Sequence, residues 1–565
     1  MSLEMLFPNF DELIRTPEDV QRLNETILQL AVQGKLVPQD ANDEPARELL
    51  KRTLEERKRL LEDKVIGRSG RDVEMDETQI SFDVPNQWSW VALADIGYIE
   101  RGVSFPSSAK ETSCLDGHIA CLRTTNIQTN VDWSDLIFVP SNYVTSGAKL
   151  VRQNDIMISM ANSFELVGKV SFVDTLPIVA TFGGFIAAFR SIGEINTRYI
   201  YLVMKSRFMQ EMFRQSSSQT TNIANISLGR TYPLPFPLPP LAEQQRIVAK
   251  VDELFAQTRA LEARMRQAQE NVVTVNRAAL HRLHTAQDND KFQTAWHTIR
   301  DHFDVLYDDP RNVAELRQTI LDLAVRGKLV PQDANGQPAR QSNQRIEQPK
   351  KRLPPIDEHS TPFAAPSDWT WEKLGNLAEV VSGVTLGRQL VNHETVSLPY
   401  LRVANVQRGY LDLAEIKMVE VKTHEKEKYL LRYGDLLLTE GGDSDKLGRA
   451  AIWREQIPGC IHQNHIFRAR PLGLAPAEWL MLCTNSPYGR DYFLSSSKKT
   501  TNLASINSTQ LKNCPIPLPS RQEQRRILAK VDQLMRLCNA LEAGLAQTEA
   551  SRSTLTQAVL HQITT

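Results

Sequence analysis

Arginine paired with asparagine, and runs of serine, threonine and lysine, are the side chains that read base edges and hold phosphates. This chain carries such groups twice, at matching places. Arg, Asn and Gln can each make two hydrogen bonds to a guanine or adenine edge, while Lys, Ser and Thr commonly hold phosphate oxygens. Arg101-Gly-Val-Ser104 corresponds to Ser382-Gly-Val-Thr385, with Arg388 just behind it. Arg123-Thr-Thr-Asn126 corresponds to Arg402-Val-Ala-Asn405. Ser216-Ser-Ser-Gln219-Thr220-Thr-Asn222 corresponds to Ser496-Ser-Lys498-Lys499-Thr500-Thr-Asn502. Lys110, Lys446 in the Gly-rich loop 440–448, and His462 and Asn464 in His462-Gln-Asn-His465 complete the candidate contacts. Each signal also has a bland meaning. Such polar runs are ordinary surface loops. Arg123 and Arg402 are equally suited to tie a strand end to a carboxylate, and His462 to sit as a satisfied buried histidine. The repetition favours the regions rather than any one residue.

No bond-making machinery accompanies these segments. The chain has no G-x-x-x-x-G-K-[ST] phosphate loop, no G-x-G-x-x-G turn and no nucleophile elbow. It also lacks the Asn/Asp-Pro-Pro-aromatic motif of amino-methyltransferases. His462 and His465 are spaced to offer two metal ligands, but no third Cys, His or carboxylate stands at convincing spacing. No catalytic, cofactor-binding or metal-binding residue is expected in this chain.

The elements that must position the polar segments are themselves duplicated. Residues 10–47 align without a gap to 303–340, with 24 of 38 positions identical. Residues 243–263 return as 523–543 with 13 of 21 identities. Between these like blocks the copies diverge, which suggests one frame carrying two different readers. Each copy opens on a helix, with Leu23, Ile27 and Leu30 or Leu316, Ile320 and Leu323 on one face. Gly34 and Gly327 are its expected stops. A charged stretch, 48–76, reads as an exposed link in the first copy. A mixed α/β module follows, opening on Trp88-Ser-Trp90 or Trp369-Thr-Trp371. Strands are expected at 155–159 and 168–172, with counterparts at 435–439 and 448–452. One helix is expected over 197–214, and its counterpart over 477–493. The proline-rich runs 235–240 and 515–519 read as rigid exits, neither helix nor central strand. Each copy ends in a long helix whose apolar seam repeats at 4,3 spacing, from Ile247 to Ala279 and from Ile527 to Val559. Ser520-Arg-Gln-Glu523 has the pattern of a capping box.

The expected domains are a helical repeat region and linker (1–83), a recognition module (84–240) and a central long helix (241–285). A second helical repeat region (286–365), a second module (366–519) and a C-terminal long helix (520–565) follow. The fold class is α+β: two tandem mixed α/β modules separated by long helices that form an antiparallel coiled-coil spacer. At 565 residues several cores are required. A net charge of −1 argues against a binder that uses its whole surface for nucleic acid, while leaving a local basic face open. No apolar run approaches the ~20 residues of a membrane span, and no signal pattern opens the chain. The six scattered cysteines read as reduced thiols of a cytoplasmic protein.

These blocks and their order resemble the specificity subunits of type I restriction–modification enzymes. The residues that carry the resemblance are Thr319-Ile-Leu-Asp-Leu-Ala-Val-Arg-Gly-Lys-Leu-Val-Pro-Gln-Asp333 with its first copy. Pro237-Leu-Pro-Pro-Leu-Ala-Glu-Gln-Gln-Arg-Ile-Val248 and Pro517-Leu-Pro-Ser-Arg-Gln-Glu-Gln-Arg-Arg-Ile-Leu528 carry it too. The Lys-Leu-Val-Pro-Gln blocks resemble those of a subfamily with an N-terminal extension. The resemblance implies that each module reads one half of a bipartite, asymmetric site in double-stranded DNA. It implies that the helices set the half-site spacing and dock two methylation subunits, through which restriction subunits join. S-adenosylmethionine, ATP and Mg would belong to those partner subunits, which methylate adenine N6 or translocate and cleave DNA. A protein-only scaffold that never touches DNA is the alternative, and a divergent nuclease or methyltransferase a remoter one.

Overall fold

The computed structural model describes residues 14–67, 73–219, 223–286, 288–331, 352–357, 361–387, 390, 393–442, 445–499 and 504–564. Two compact units emerge. One comprises residues 1–267 with 550–565, the other residues 268–549.

In the first unit, helix α1 (Pro17–Val32) starts at the Thr16 cap, whose hydroxyl accepts from the Asp19 amide, with Pro17 in the first turn. Leu23, Ile27 and Leu30 are buried. Gly34 ends the helix at φ +68°, and the Lys35 amide reaches back to the Leu30 carbonyl. A Cβ on Gly34 would stand 2.6 Å from the Pro85 ring. The glycine is therefore required by the left-handed cap and by close packing alike. Helix α2 (Ala46–Glu62) corrects the expected exposed link: its Leu49 and Thr53 are buried.

Among the described residues the first module has twelve strands: β1 (Ser89–Ala92), β2 (Gly97–Arg101), β3 (His118–Leu122), β4 (Ile137–Pro140), β5 (Ile156–Ser159), β6 (Ala161–Asn162), β7 (Val170–Phe172), β8 (Ala180–Phe182), β9 (Ile186–Ser191), β10 (Ser217–Gln219), β11 (Ala224–Ile226) and β12 (Pro235–Leu238). They form sheets ordered β2-β9-β5-β7, β4-β3-β8, β10-β11-β6 and β1-β12. The proline run is no central strand, as expected, but it does form an edge strand. It pairs only with β1, antiparallel, so its missing amides fall where no second neighbour needs them. The single expected helix is two, α3 (Thr197–Lys205) and α4 (Arg207–Gln215). They are broken at extended Ser206, whose hydroxyl accepts from the Met209 amide.

Helix α5 (Leu241–Thr285) runs from the first unit into the second. The second unit continues with α6 (Asn289–Asp301) and α7 (Pro310–Val325), the counterpart of α1. Its Gly327 has the same φ, +68°, and the same proline contact, to Pro366 at 2.6 Å. The module strands are β13 (Thr370–Lys373), β14 (Ala378–Ser382), β15 (Thr395–Leu401), β16 (Lys417–Lys422), β17 (Leu436–Thr439), β18 (Gly441–Gly442), β19 (Ala450–Ile452), β20 (Ile461–His462), β21 (Ile466–Pro471), β22 (Lys498–Lys499), β23 (Ala504–Ser505) and β24 (Pro515–Leu518). Sheets β14-β21-β17-β19, β16-β15-β20, β18-β23-β22 and β13-β24 repeat the first module's plan. Helices α8 (Ala477–Asn485) and α9 (Pro487–Ser496) again replace one expected helix, divided at Ser486.

Helix α10 (Arg521–Thr564) returns into the first unit. There Leu560 and Ile563 join the core that holds Ile247, Val251, Leu254 and Leu261 of α5. In the second unit Ala279, Leu280 and Leu283 of α5 share a core with Ile527, Val531 and Cys538 of α10. This is the pairing order of an antiparallel pair. The seams do not hold strict 4,3 spacing. Past residue 268 the buried positions of α5 are Val273, Asn276, Ala279, Leu280 and Leu283; Ala279 is where expected, but Val273, Asn276 and Leu280 fall one residue later than the seam, and Val275 is exposed. In α10 the same shift buries Thr556 and exposes Leu555. A straight helix drifts about 20° per heptad, or about one residue over five heptads, so the interface moves round the helix. Each helix also has an all-exposed run, 266–271 and 546–551, at the division between the units.

Candidate nucleic-acid interface

One buried contact anchors each module to its long helix. The Trp88 indole donates to the Glu243 carboxylate at 2.9 Å, and Trp369 donates to Glu523 at 3.0 Å. Burial pushes the Glu243 carboxyl up, opposed by the hydrogen bonds from Trp88 and Gln39. The Ser520 hydroxyl accepts from the Glu523 amide, as the capping pattern expects, and the Glu523 carboxylate accepts from Trp369. A second repeated device braces the sheet. Arg190 grips Asp155 through two bonds of 2.7 and 2.8 Å, and Arg470 grips Asp435 at the same distances. Neither device was singled out from sequence. The signal was present, since all four pairs recur in register.

Three polar segments of the first module converge at one end of its sheets. The Val103 amide donates to the Phe182 carbonyl at 2.8 Å, and the Gly183 amide to the Leu122 carbonyl at 3.0 Å. Gly102 has no room for a Cβ, which would stand 2.2 Å from the Gly183 carbonyl. Arg101 and Ser104 are exposed on this convergence, and the strip β6-β11-β10 that bears exposed Gln219 adjoins it through Met160 and Phe185. Lys110 is exposed, but lies outside it, beside the bridge between Glu111 and Phe138. The second module repeats the convergence. The Val384 amide meets the His462 carbonyl, the Gln463 amide the Leu401 carbonyl, and the Asn464 amide the Val384 carbonyl. Asn464 is half-buried there, Lys446 is exposed on an adjoining turn, and Lys498 is exposed in β22. Lys499 lies in β22, its side chain outside the description. Thr220, Asn222, Arg388, Thr500 and Asn502 lie outside the described residues.

The asparagines of the two Arg-x-x-Asn motifs are corrected to structural clamps, and the arginines pair with carboxylates of the same loops. Asn126 is fully buried; it accepts from the Arg123 amide and donates to the Asp132 and Asp135 carbonyls. Asn405 does the same with Arg402, Asp412 and Glu415. Arg123 pairs with Asp135 at 2.6 Å and Arg402 with Glu415 at 2.9 Å. A buried amide that gives both its hydrogens to its own loop has no donor left for the two-bond contact with adenine.

His462 is corrected too. It is fully buried, and its Nδ1 lies 3.0 Å from the Ile466 carbonyl, while His465 turns outward to Glu440. Burial pulls its pKa down to about 4; the Ile466 bond and nearby Asp435 oppose this, and Arg468 adds to it. The folded state thus prefers the neutral ring. The stabilisation is complete above the ordinary value of 6.5 and is lost as pH falls from there towards 4. Phe182 occupies the equivalent place and is equally buried. Replacing His462 by Phe should therefore remove on the order of 3 kcal/mol of acid sensitivity from the second module. Hydrogen exchange in β21 between pH 7 and 4.5 measures it. Equal pH slopes in both proteins would refute the assignment.

A basic cluster in each module was not anticipated. Lys169 donates to Gln128 and Arg449 to Gln407, each at 2.6 Å. Burial, then Arg198, Arg259 and Lys169, pull the Lys205 pKa down to about 8. Burial, then Arg490 and Arg449, pull Arg408 down to about 10. Crowded cations of this kind favour an anionic partner. Gly168-Lys169 and Gly448-Arg449 recur in register, which was the available signal.

Five cysteines are buried and Cys114 is exposed, all as free thiols. Among the described residues no group of three or more His, Cys, Asp or Glu side chains is arranged to hold a metal. Among them, too, no helix is long and apolar enough to cross a membrane.

A family model described as the type I restriction modification DNA specificity domain matches residues 85–270 and 366–548. The type I restriction enzyme EcoAI specificity subunit of Escherichia coli is 28% identical over 546 residues, covering 93% of this chain and 90% of that protein. The EcoEI specificity subunit of Escherichia coli is 26% identical over 569 residues, covering 96% and 93%. The EcoKI specificity subunit of Escherichia coli strain K12 is 25% identical over 481 residues, covering 84% and 88%.

Proposed function

The chain belongs to the type I restriction–modification DNA specificity family, and from that premise we propose that its two modules read the two halves of one bipartite, asymmetric DNA site. It is the non-catalytic specificity subunit of such a complex. The reading modules are residues 84–240 and 366–519. The long helices set the distance between half-sites and dock two methylation subunits, and restriction subunits join through that core. S-adenosylmethionine, ATP and Mg act on those partners, which work with this chain in the cytoplasm.

One observation carries this reading: a constant frame presents changed chemistry. The hydrogen-bond lengths of the Trp–Glu anchors and Arg–Asp braces agree between modules within 0.1 Å. On that frame, β10 of one module carries Ser218 and Gln219, where β22 of the other carries Lys498 and Lys499. A tandem frame with unlike readers gives asymmetric specificity, as a symmetric dimer gives a palindrome.

The test is modified-base sequencing of DNA from cells producing this chain with its methylation subunit, against cells lacking either protein. Adenine methylation at one bipartite motif, present only with both proteins, is the expected result. A stable complex that methylates nothing would move a protein-only scaffold to the front.

A further inference from the structure

The modules exchange side-chain chemistry at one pair of backbone positions. In the first, the Met160 amide donates to the Phe185 carbonyl at 2.9 Å; in the second, the Glu440 amide donates to the His465 carbonyl at 2.9 Å. The backbone is the same and the side chains are opposite in kind. Phe185 is 67% exposed, beside the convergence of polar segments. His465 is also exposed, with Nδ1 2.5 Å from the Glu440 carboxylate. The contrast continues one turn away, where exposed Leu166 stands in place of exposed Lys446. A lone exposed apolar residue is ordinary. Here two stand on loops whose counterparts carry cationic or hydrogen-bonding groups, so the frame itself does not need them.

Resting on the reading that each module takes one half-site, we infer that Phe185 and His465 are equivalent specificity-determining residues with different chemistry. The thymine methyl is the apolar group that base pairs display in the major groove, and a phenyl ring suits it. Phe185 makes that apolar contact. The His465–Glu440 pair, with Asn464 beside it, reads its half-site by hydrogen bonds, since carboxylates accept from cytosine and Asn pairs with adenine.

The experiment uses the full chain in complex with its methylation subunit, on duplexes bearing the motif found by modified-base sequencing. Phe185→Ala should weaken binding about tenfold and relax base preference in one half only. His465→Ala should do so in the other half. Replacing thymine by deoxyuracil, which lacks only the methyl, in the half affected by Phe185→Ala should weaken the unaltered complex several-fold and the variant no further. Phe185→Leu keeps an apolar group and should retain part of the preference, which separates lost contact from lost fold. The inference is overturned if Phe185→Ala leaves both halves unchanged. It is equally overturned if the two alanine variants act on the same half, or if deoxyuracil costs the unaltered complex nothing. An unaltered complex that methylates no bipartite motif would instead sink the reading of the modules, and this inference with it.

Discussion

Removing residues 268–271 from α5 and 547–550 from α10 together should shorten the gap between the two methylated half-sites and leave both half-site sequences as they were. Both deletions fall in the all-exposed runs, so no core residue is lost. The exposed pair of Glu270 with Arg311 is lost, which costs little. Four residues are about 6 Å of helix and about one turn, so the flanking apolar faces keep nearly the same phase. At about 3.4 Å per base pair, the spacer should contract by about two base pairs. Cutting one helix alone should do worse, because each unit draws on both helices: Leu261 and Leu560 share one core, Leu283 and Val531 the other. Modified-base sequencing reads the outcome directly. A changed half-site sequence with unchanged spacing would sink the idea that the helices are the ruler.

How far the sequence foretold this fold can be judged residue by residue. The frame was legible because its signals are local and occur twice. Gly34 and Gly327 stop their helices where expected, and Ile156–Ser159 and Leu436–Thr439 fall within the expected strands. What misled was whatever depends on a distant partner. The prolines of β12 argued against a central strand, and they do lie in a two-stranded pair with one edge unclaimed; what they did not foretell was β1 as the partner. Leu49 and Thr53 sit in a charged stretch that reads as linker, and only the core behind them makes it a packed helix. The break at Ser486 was legible, since Pro487 is a first-turn proline. The equivalent break at Ser206 carries no proline and gave only a weak serine signal. At the site, residue type showed the chemistry of a side chain but not its burial. Arg123, Asn126, Arg402 and Asn405 have the chemistry of base readers, yet they hold their own loops. Phe185 has no polar group at all, and its exposure is invisible without the turn that presents it.

Removing Arg190 should cost the first module about 3–5 kcal/mol, the largest single-residue stability loss expected in the chain. Its guanidinium makes two bonds to Asp155 and two more to the carbonyls of Ala148 and Leu150, tying β9 to the segment before β5. Both side chains of the pair are nearly dry, 7% and 2% exposed. Arg190→Met therefore leaves a buried carboxylate with only the Arg152 amide for a partner. Lysine should rescue little, because a point charge cannot span both carboxylate oxygens and both carbonyls. Arg190→Met with Asp155→Asn should lose less than Arg190→Met alone, since the penalty belongs to the uncompensated charge rather than to a missing bond. The second module supplies an internal control. Arg470 makes the same grip on Asp435 but is 25% exposed, so water can follow the lost guanidinium and Arg470→Met should cost clearly less. Hydrogen exchange in β5 and β17 reads each module separately, which avoids assigning one unfolding free energy to a chain with two cores. Equal losses from the two methionine variants would mean that burial does not set the strength of this brace. A double variant no better than Arg190→Met would mean that the two carbonyl bonds, and not the charge, hold the sheet.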